Sequence, residues 1–229
     1  LSPLCLPLAR RLRDLEMLVG AVTNGTLLSP RMLAELKEAG VHALAVSVDG
    51  VGATHDDLRQ LDGLYERVIS GISRALDAGF TVTAITAANP LNLHQLDELR
   101  CELHRLGVKR WQVQPMFSLG RSKQNQDLEL TFDGYLELCR FVERNRESED
   151  GMRVFAADGI GYCAEPDLTN EGWTGCGAGI TSCGIMSDGR VKGCLSWPDN
   201  LVEGDLRKDT FWNIWFRPGA FASTREFSR

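Results

Sequence analysis

The stretch Leu64-Tyr-Glu-Arg-Val-Ile-Ser-Gly-Ile-Ser-Arg-Ala-Leu-Asp-Ala78-Gly79-Phe80-Thr-Val-Thr-Ala-Ile-Thr-Ala87 decides the fold. Its first part, Leu64 to Ala78, has the apolar spacing of a helix. Gly79 ends it, because glycine adopts left-handed backbone without steric cost. From Phe80 to Ala87, Val and Ile then alternate with Thr, the two-residue period of a strand. A helix that hands over to a strand through one glycine is a piece of a βα repeat.

The same grammar extends in both directions. Upstream, Leu18 to Val22 is a short apolar run, followed by Thr23-Asn24-Gly25. Ser29-Pro30 supplies an N-cap and a first-turn proline. The helix that follows carries Met32, Leu33 and Leu36 and stops at Gly40, and Val41 to Val48 is β-prone up to Asp49-Gly50. A loop rich in small and charged residues leads on to Leu64. Downstream, a helix over Asn92 to Leu106 stops at Gly107, and a strand over Lys109 to Met116 follows. Three helices ending in glycine, each feeding a β-run, predict an α/β fold with parallel strands, a partial (β/α) TIM-like barrel.

Thr131 to Arg146 reads as a further amphipathic helix, with Phe132, Leu136, Leu138, Cys139 and Val142 as its apolar set. The polar stretch Asn145 to Gly151 reads as a linker. Beyond it glycine and cysteine increase, elements shorten, and tryptophans stand at 173, 197, 212 and 215. The expected division is a barrel-like domain over 1–150 and a small Cys-rich β-hairpin module over 151–229. In that module Cys176, Cys183 and Cys194 flank an Asp188-Gly189 turn between two short β-runs. Thiols at this spacing suit zinc or an iron–sulfur centre better than a hydrophobic core.

Composition excludes some functions. The chain has 229 residues, 43% hydrophobic and 24% charged, with net charge −6. No basic block marks a surface for phosphate backbones, and no apolar run approaches the roughly 20 residues of a membrane helix. Seven cysteines at uneven intervals fit a reducing, cytoplasmic setting.

In a parallel α/β layout, ligands bind beyond the carboxyl ends of the strands. Three polar clusters fall there: Thr23-Asn24-Gly25, Ser47-Val48-Asp49-Gly50, and Gln112 to Gln114. Arg59, in the loop after the second, could hold a carboxylate in a two-point grip with a serine hydroxyl as another donor. Turn chemistry alone would also account for any one cluster.

Together these residues carry a resemblance. Thr23-Asn24-Gly25-Thr26-Leu27-Leu28, then Ser47-Val48-Asp49-Gly50 with His55-Asp56 and Arg59, then Gly120-Arg121 after a strand, resembles the radical S-adenosylmethionine (AdoMet) enzymes. The spacing Cys176, Gly189, Cys194 resembles the SPASM or twitch module that holds auxiliary iron–sulfur clusters in such enzymes, and Phe211-Trp212-Asn213-Ile214-Trp215 resembles the approach to its last cysteine group. The Cys-x3-Cys-x2-Cys loop of the family is absent, as is the later cysteine group. The expectation is therefore a central portion of a longer enzyme, inactive alone.

The resemblance implies a peptide- or protein-modifying enzyme, or a cofactor maturase, in which a 5′-deoxyadenosyl radical abstracts a substrate hydrogen. It implies AdoMet, a [4Fe–4S] cluster held upstream of this stretch, and an auxiliary [4Fe–4S] or [2Fe–2S] cluster. Ser47 and Arg59 match positions that grip the AdoMet carboxylate, with Asn24 and Gln114 on the same rim and Asn89 as a lesser candidate. Cys176, Cys183 and Cys194 match ligands of the auxiliary cluster. Implied partners are a peptide or small-protein substrate and an electron donor such as flavodoxin or ferredoxin, with neither nucleic acid nor membrane. Leu195, where the sulfatase-maturing branch has Asp, argues against that activity. The rival readings are an aldolase-like barrel with structural zinc and a peptide-binding module without chemistry.

The remaining candidates are weaker. Cys5, Cys101 and Cys139 read as core, Cys163 could face an active site, and His42, His55, His94 and His104 read as surface or capping residues. Asp49 and Asp158 are possible acids or bases, although loop carboxylates are usually solvated.

Overall fold

A computed structural model describes residues 2–118, 126–148, 150–157 and 176–226. The chain divides into two compact units; of the described residues, 2–118, 126–148 and 150–157 fall in the first and 176–226 in the second.

The first unit opens with helix α1 (Cys5–Asp14) and strand β1 (Val19–Thr23). Helix α2 (Pro30–Glu38) starts where the sequence places it: the Ser29 hydroxyl accepts the Met32 N–H at 3.2 Å, with proline in the first turn. Strand β2 (Val41–Ser47) follows, then α3 (Ala53–Arg59) and α4 (Leu64–Asp77). The expected loop before Leu64 thus contains a short helix, and Arg59 is its last residue. Asp56 in α3 caps α4, its carboxylate accepting the N–H groups of Gly63 at 2.6 Å and Tyr65 at 2.7 Å. These bonds, that from Tyr65 foremost, hold the Asp56 carboxyl below its ordinary pKa.

Strand β3 (Thr81–Ala88), helix α5 (Leu96–Arg105), strand β4 (Arg110–Pro115), helix α6 (Phe132–Asn145) and strand β5 (Arg153–Ala156) complete the unit. The five strands form one sheet in the order β1-β2-β3-β4-β5, every pairing parallel. This is the expected α/β architecture. The boundary expected near residue 150 falls short, because β5 lies beyond it and pairs with β4, and Met152 and Val154 are buried in the same core. A polar stretch marked the approach to an edge strand rather than a linker.

Strand alternation sorts the sheet into two faces. Leu44, Val46, Val82, Ala84, Trp111, Val113, Val154 and Ala156 point into the core against Leu33 and Leu36 of α2, Val68 and Ile72 of α4, Leu99 and Leu103 of α5, and Phe141 and Val142 of α6. The other face turns away from these helices. Register lines up its side chains in rows: Val22, Ala45, Thr83, Arg110 and Arg153 at one level, then Ser47, Ile85, Gln112 and Phe155 two residues on, then Ala87 and Gln114. Phe132, expected in the apolar set of α6, is exposed; it sits in the first turn, ahead of the buried stripe.

The second unit holds a three-stranded antiparallel sheet of β6 (Gly184–Ile185), β7 (Arg190–Lys192) and β8 (Val202–Asp205). Asp188-Gly189 makes the expected hairpin turn, with Gly189 at φ +88°. Helices α7 (Phe211–Phe216) and α8 (Ala222–Arg225) follow. Val191, Ile214, Ala220 and Phe221 form the core, with Cys183 and Trp215 packed on it. Lys192 is buried, donating to the Trp197 carbonyl and pairing with Asp199 at 3.3 Å.

Candidate functional site

At the carboxyl ends of β2 and β3 a polar network is built around Asp49. After Ser47 the parallel ladder continues for one bond, Val48 N–H to the Ile85 carbonyl at 2.9 Å. The Asp49 side chain then takes over, its Oδ1 accepting the Ala87 N–H at 3.0 Å. Its Oδ2 accepts from Arg59 Nε at 2.6 Å, and the Arg59 Nη2 closes the ion pair on the same oxygen. Asp49 is buried, its own N–H donating to His55 Nδ1 at 3.0 Å and its carbonyl accepting from Asn92 Nδ2 at 2.7 Å.

Asp49 is therefore a fixed structural anion, not the solvated loop carboxylate the sequence suggests. His55 is likewise not a surface residue: it is fully buried, and desolvation pushes its pKa below the ordinary 6.5. With Nδ1 accepting a bond, Nε2 carries the proton, and it is buried without a partner among the described residues. The buried polar shell also includes Thr86, whose hydroxyl donates to the Val48 carbonyl at 2.5 Å and accepts from Trp111 Nε1 at 2.9 Å. This shell was missed because its members are scattered over 60 residues; the one available signal was the density of Asn and Asp beside strand ends.

The predicted site residues fare differently. Ser47 and Arg59 come to the same strand end, since Arg59 is tied to Asp49, two residues past Ser47. Neither the Ser47 hydroxyl nor Arg59 Nη1 is used in a hydrogen bond among the described residues, so both are available as donors. Gln114 lies on the open face and accepts from Gln112 Nε2 at 3.0 Å. Asn24 closes a local turn, accepting from the N–H and hydroxyl of Thr26 at 3.2 and 2.8 Å, and lines a largely apolar cavity of about 410 Å³ with Cys5, Met32 and Leu36. Asn89 is spent on structure: it is buried, donating to the Ala87 carbonyl and accepting the Leu91 N–H.

In the second unit the backbone brings the three thiol positions to one end of the β6–β7 hairpin. Gly184 pairs with Lys192, so Cys183 and Cys194 are at its open end. The Ser182 N–H donates back to the Gly177 carbonyl at 3.0 Å, returning the chain beside Cys176. The side chains are not gathered, however. Cys176 is exposed, Cys183 and Cys194 are half-buried, and among the described residues no three His, Cys, Asp or Glu groups could hold a metal ion. Packing on Val191 and Phe221 explains part of this, and burial pushes the Cys183 thiol pKa up, favouring the protonated form. Cys101, expected in the core, is exposed; Cys5 and Cys139 are half-buried. Gly120-Arg121, Asp158, Cys163 and Trp173 lie outside the described residues. No helix among the described residues is long and apolar enough to cross a membrane.

Residues 4–100 match the family model of the radical SAM superfamily. An AdoMet-dependent heme synthase of Methanosarcina barkeri is 28% identical over 233 residues, covering 96% of this chain and 66% of that protein. A PqqA peptide cyclase of Rhizobium meliloti is 24% identical over 217 residues, covering 93% and 56%. Among solved structures, Streptococcus suis SuiB superposes with a TM-score of 0.75 at 15% identity, covering 97% of this chain and 54% of that one. The five-stranded parallel α/β sheet thus has the fold of SuiB, and its first strands and helices, residues 4–100, are the part that matches the radical SAM superfamily model. The chain spans less than two thirds of the length of these curated relatives.

Proposed function

We propose that this chain is the central part of a radical AdoMet enzyme that modifies a peptide or a cofactor precursor, and that Ser47 and Arg59 hold the AdoMet carboxylate. The Asp49–Arg59 ion pair carries the reading. It fixes a guanidinium on Asp49, two residues past Ser47 at the same strand end, and leaves Nη1 unspent. A carboxylate needs such convergent donors, and one whose arginine is already immobilised loses little further entropy on binding.

With its carboxylate held by Ser47 and Arg59, AdoMet together with an iron–sulfur cluster would supply radical hydrogen-abstraction chemistry. The chain's own residues bind and orient. Asp49 holds Arg59, Asn92 and His55 hold the Asp49 backbone, and Gln112 and Gln114 present amides along β4 for substrate or cofactor. Asn24 lies on the same rim. Relatives named as heme synthase and peptide cyclase, and a SuiB structure with the precursor peptide SuiA, support the choice between a cofactor precursor and a peptide.

The residues from 176 on complete the reading as a SPASM or twitch module, with Cys176, Cys183 and Cys194 as ligands of an auxiliary cluster. The described thiols do not form that ligand set as they stand. A flavodoxin or ferredoxin in the cytoplasm is the matching electron donor, and neither nucleic acid nor a membrane takes part.

The test is anaerobic reconstitution of the full-length protein with iron and sulfide, followed by AdoMet and a one-electron reductant. Release of 5′-deoxyadenosine is expected, together with loss of AdoMet binding in Arg59→Ala. A reconstituted protein that binds AdoMet equally well without Arg59, or that releases no 5′-deoxyadenosine, overturns the assignment.

A further inference from the structure

On the open face of the sheet, register sets Arg110 of β4 directly beside Arg153 of β5. Paired strands are about 4.8 Å apart, so two guanidinium-bearing positions are immediate neighbours on one face. Like charges placed opposite each other in a sheet repel, and arginine cannot relieve the strain by giving up its proton. Neither residue forms an ion pair with a carboxylate among the described residues. Glu147 borders the same small cavity as Arg153 without pairing with it. Arg110 is also held in place, its guanidinium stacked 5.3 Å from the centroid of Phe155.

We infer that Arg110 and Arg153 form an anion subsite that receives a carboxylate of the substrate. Two planar forks side by side suit a carboxylate's paired oxygens, and a bound anion would remove the repulsion the sheet otherwise carries. Gln112 and Gln114 continue the polar strip along β4. The pair lies one row, about 7 Å, toward the amino ends from Ser47, and two to three strands, about 10–14 Å, across the sheet. A carboxylate seated there belongs to a molecule that also reaches the Ser47 end, either an acidic peptide or a macrocycle bearing carboxylate arms. The inference rests on the reading of this face as the substrate face.

The test uses full-length protein and two pairs of probes: coproporphyrin III against its tetramethyl ester, and a glutamate-rich peptide against its glutamine counterpart, with binding followed by fluorescence. At least one acidic probe should bind in preference to its neutral partner, and whichever does so identifies the source of the carboxylate. Arg110→Gln with Arg153→Gln should weaken that probe by about tenfold or more, and the double lysine variant should lose less. Lys109→Gln, one residue outside the face, is the control. Thermal melts check folding, and the single Arg153→Gln variant provides the reading if the double variant unfolds. Binding of acidic and neutral probes alike, binding of neither, or an acidic probe indifferent to the arginines overturns the subsite. AdoMet binding, titrated separately, reports on the cofactor reading, so the two failures are distinguishable.

Discussion

Arg59 donates from Nε to Oδ2 of Asp49 at 2.6 Å, while the other oxygen of the same carboxylate accepts the N–H of Ala87 at 3.0 Å. One side chain thus finishes the β2–β3 ladder and aims a guanidinium. Asp49→Asn keeps an acceptor for Ala87 and loses the ion pair. The expected result is an AdoMet dissociation constant raised about tenfold, and a stability loss of about 1–2 kcal/mol, modest because Arg59 is partly solvated. Isothermal titration and urea denaturation measure the two. An Asp49→Asn protein with wild-type AdoMet affinity would leave the anchor without a binding role.

Acid should weaken the fold through His55. The folded protein resists protonation of this buried ring, whose pKa lies below the ordinary 6.5, whereas the unfolded chain accepts a proton at that value. The contribution is fully present above 6.5 and is lost as pH falls through the lower folded value. Urea midpoints measured from about pH 7.5 to pH 5 should decline more steeply in the parent than in His55→Gln. Parallel profiles would remove His55 as the cause.

Thr86 joins two otherwise unsatisfied groups, the Trp111 indole N–H and the Val48 carbonyl. Thr86→Val preserves the shape and removes both bonds in a buried setting. A loss of about 3 kcal/mol is expected, with Thr86→Ser much closer to the parent. Equilibrium denaturation followed by tryptophan fluorescence reads this directly.

Gly71 reverses an ordinary expectation. Alanine in a helix interior usually stabilises relative to glycine, but a Cβ at position 71 of α4 would lie 2.9 Å from the Leu28 Cβ. Gly71→Ala is expected to destabilise by about 1–3 kcal/mol through overpacking. A raised melting temperature would show that the Leu28 loop moves aside freely.

Much of the barrel-like unit was readable from the chain because each signal there is local. Ser29-Pro30 starts α2, Gly40, Gly79 and Gly107 end helices, and Thr-Val alternation marks β3. Those interactions span a few residues and need no knowledge of the rest. The short α3 was missed because it is flanked by Gly52 and Gln60 with positive φ and lacks an apolar stripe, being held by what it packs against. β5 was hidden for a similar reason, since an edge strand of four residues owes its state to β4.

The site divides along the same line. Arg59 was singled out by a resemblance in spacing, and the coordinates tie it to Asp49, two residues past Ser47, a carboxylate that local pattern had assigned to solvent. The anchoring roles of His55 and Asn92 depend on contacts made after folding, some over 40 residues apart. The thiols show the opposite case. Their hairpin follows from Asp188-Gly189, but the described thiols are not gathered, because Cys183 packs on Val191 and Phe221 while Cys176 is exposed.

The open face also has a gradient of height. Ala43 and Ala45 leave it low along β2, while Arg110, Gln112 and Gln114 raise it along β4. On the proposed substrate face, a flat, stiff guest would lean, with one rim deep over the alanines and the other propped on amide and guanidinium tips. Which rim of the guest is nearest to Ser47 is then a matter of slope, settled before any bond is broken.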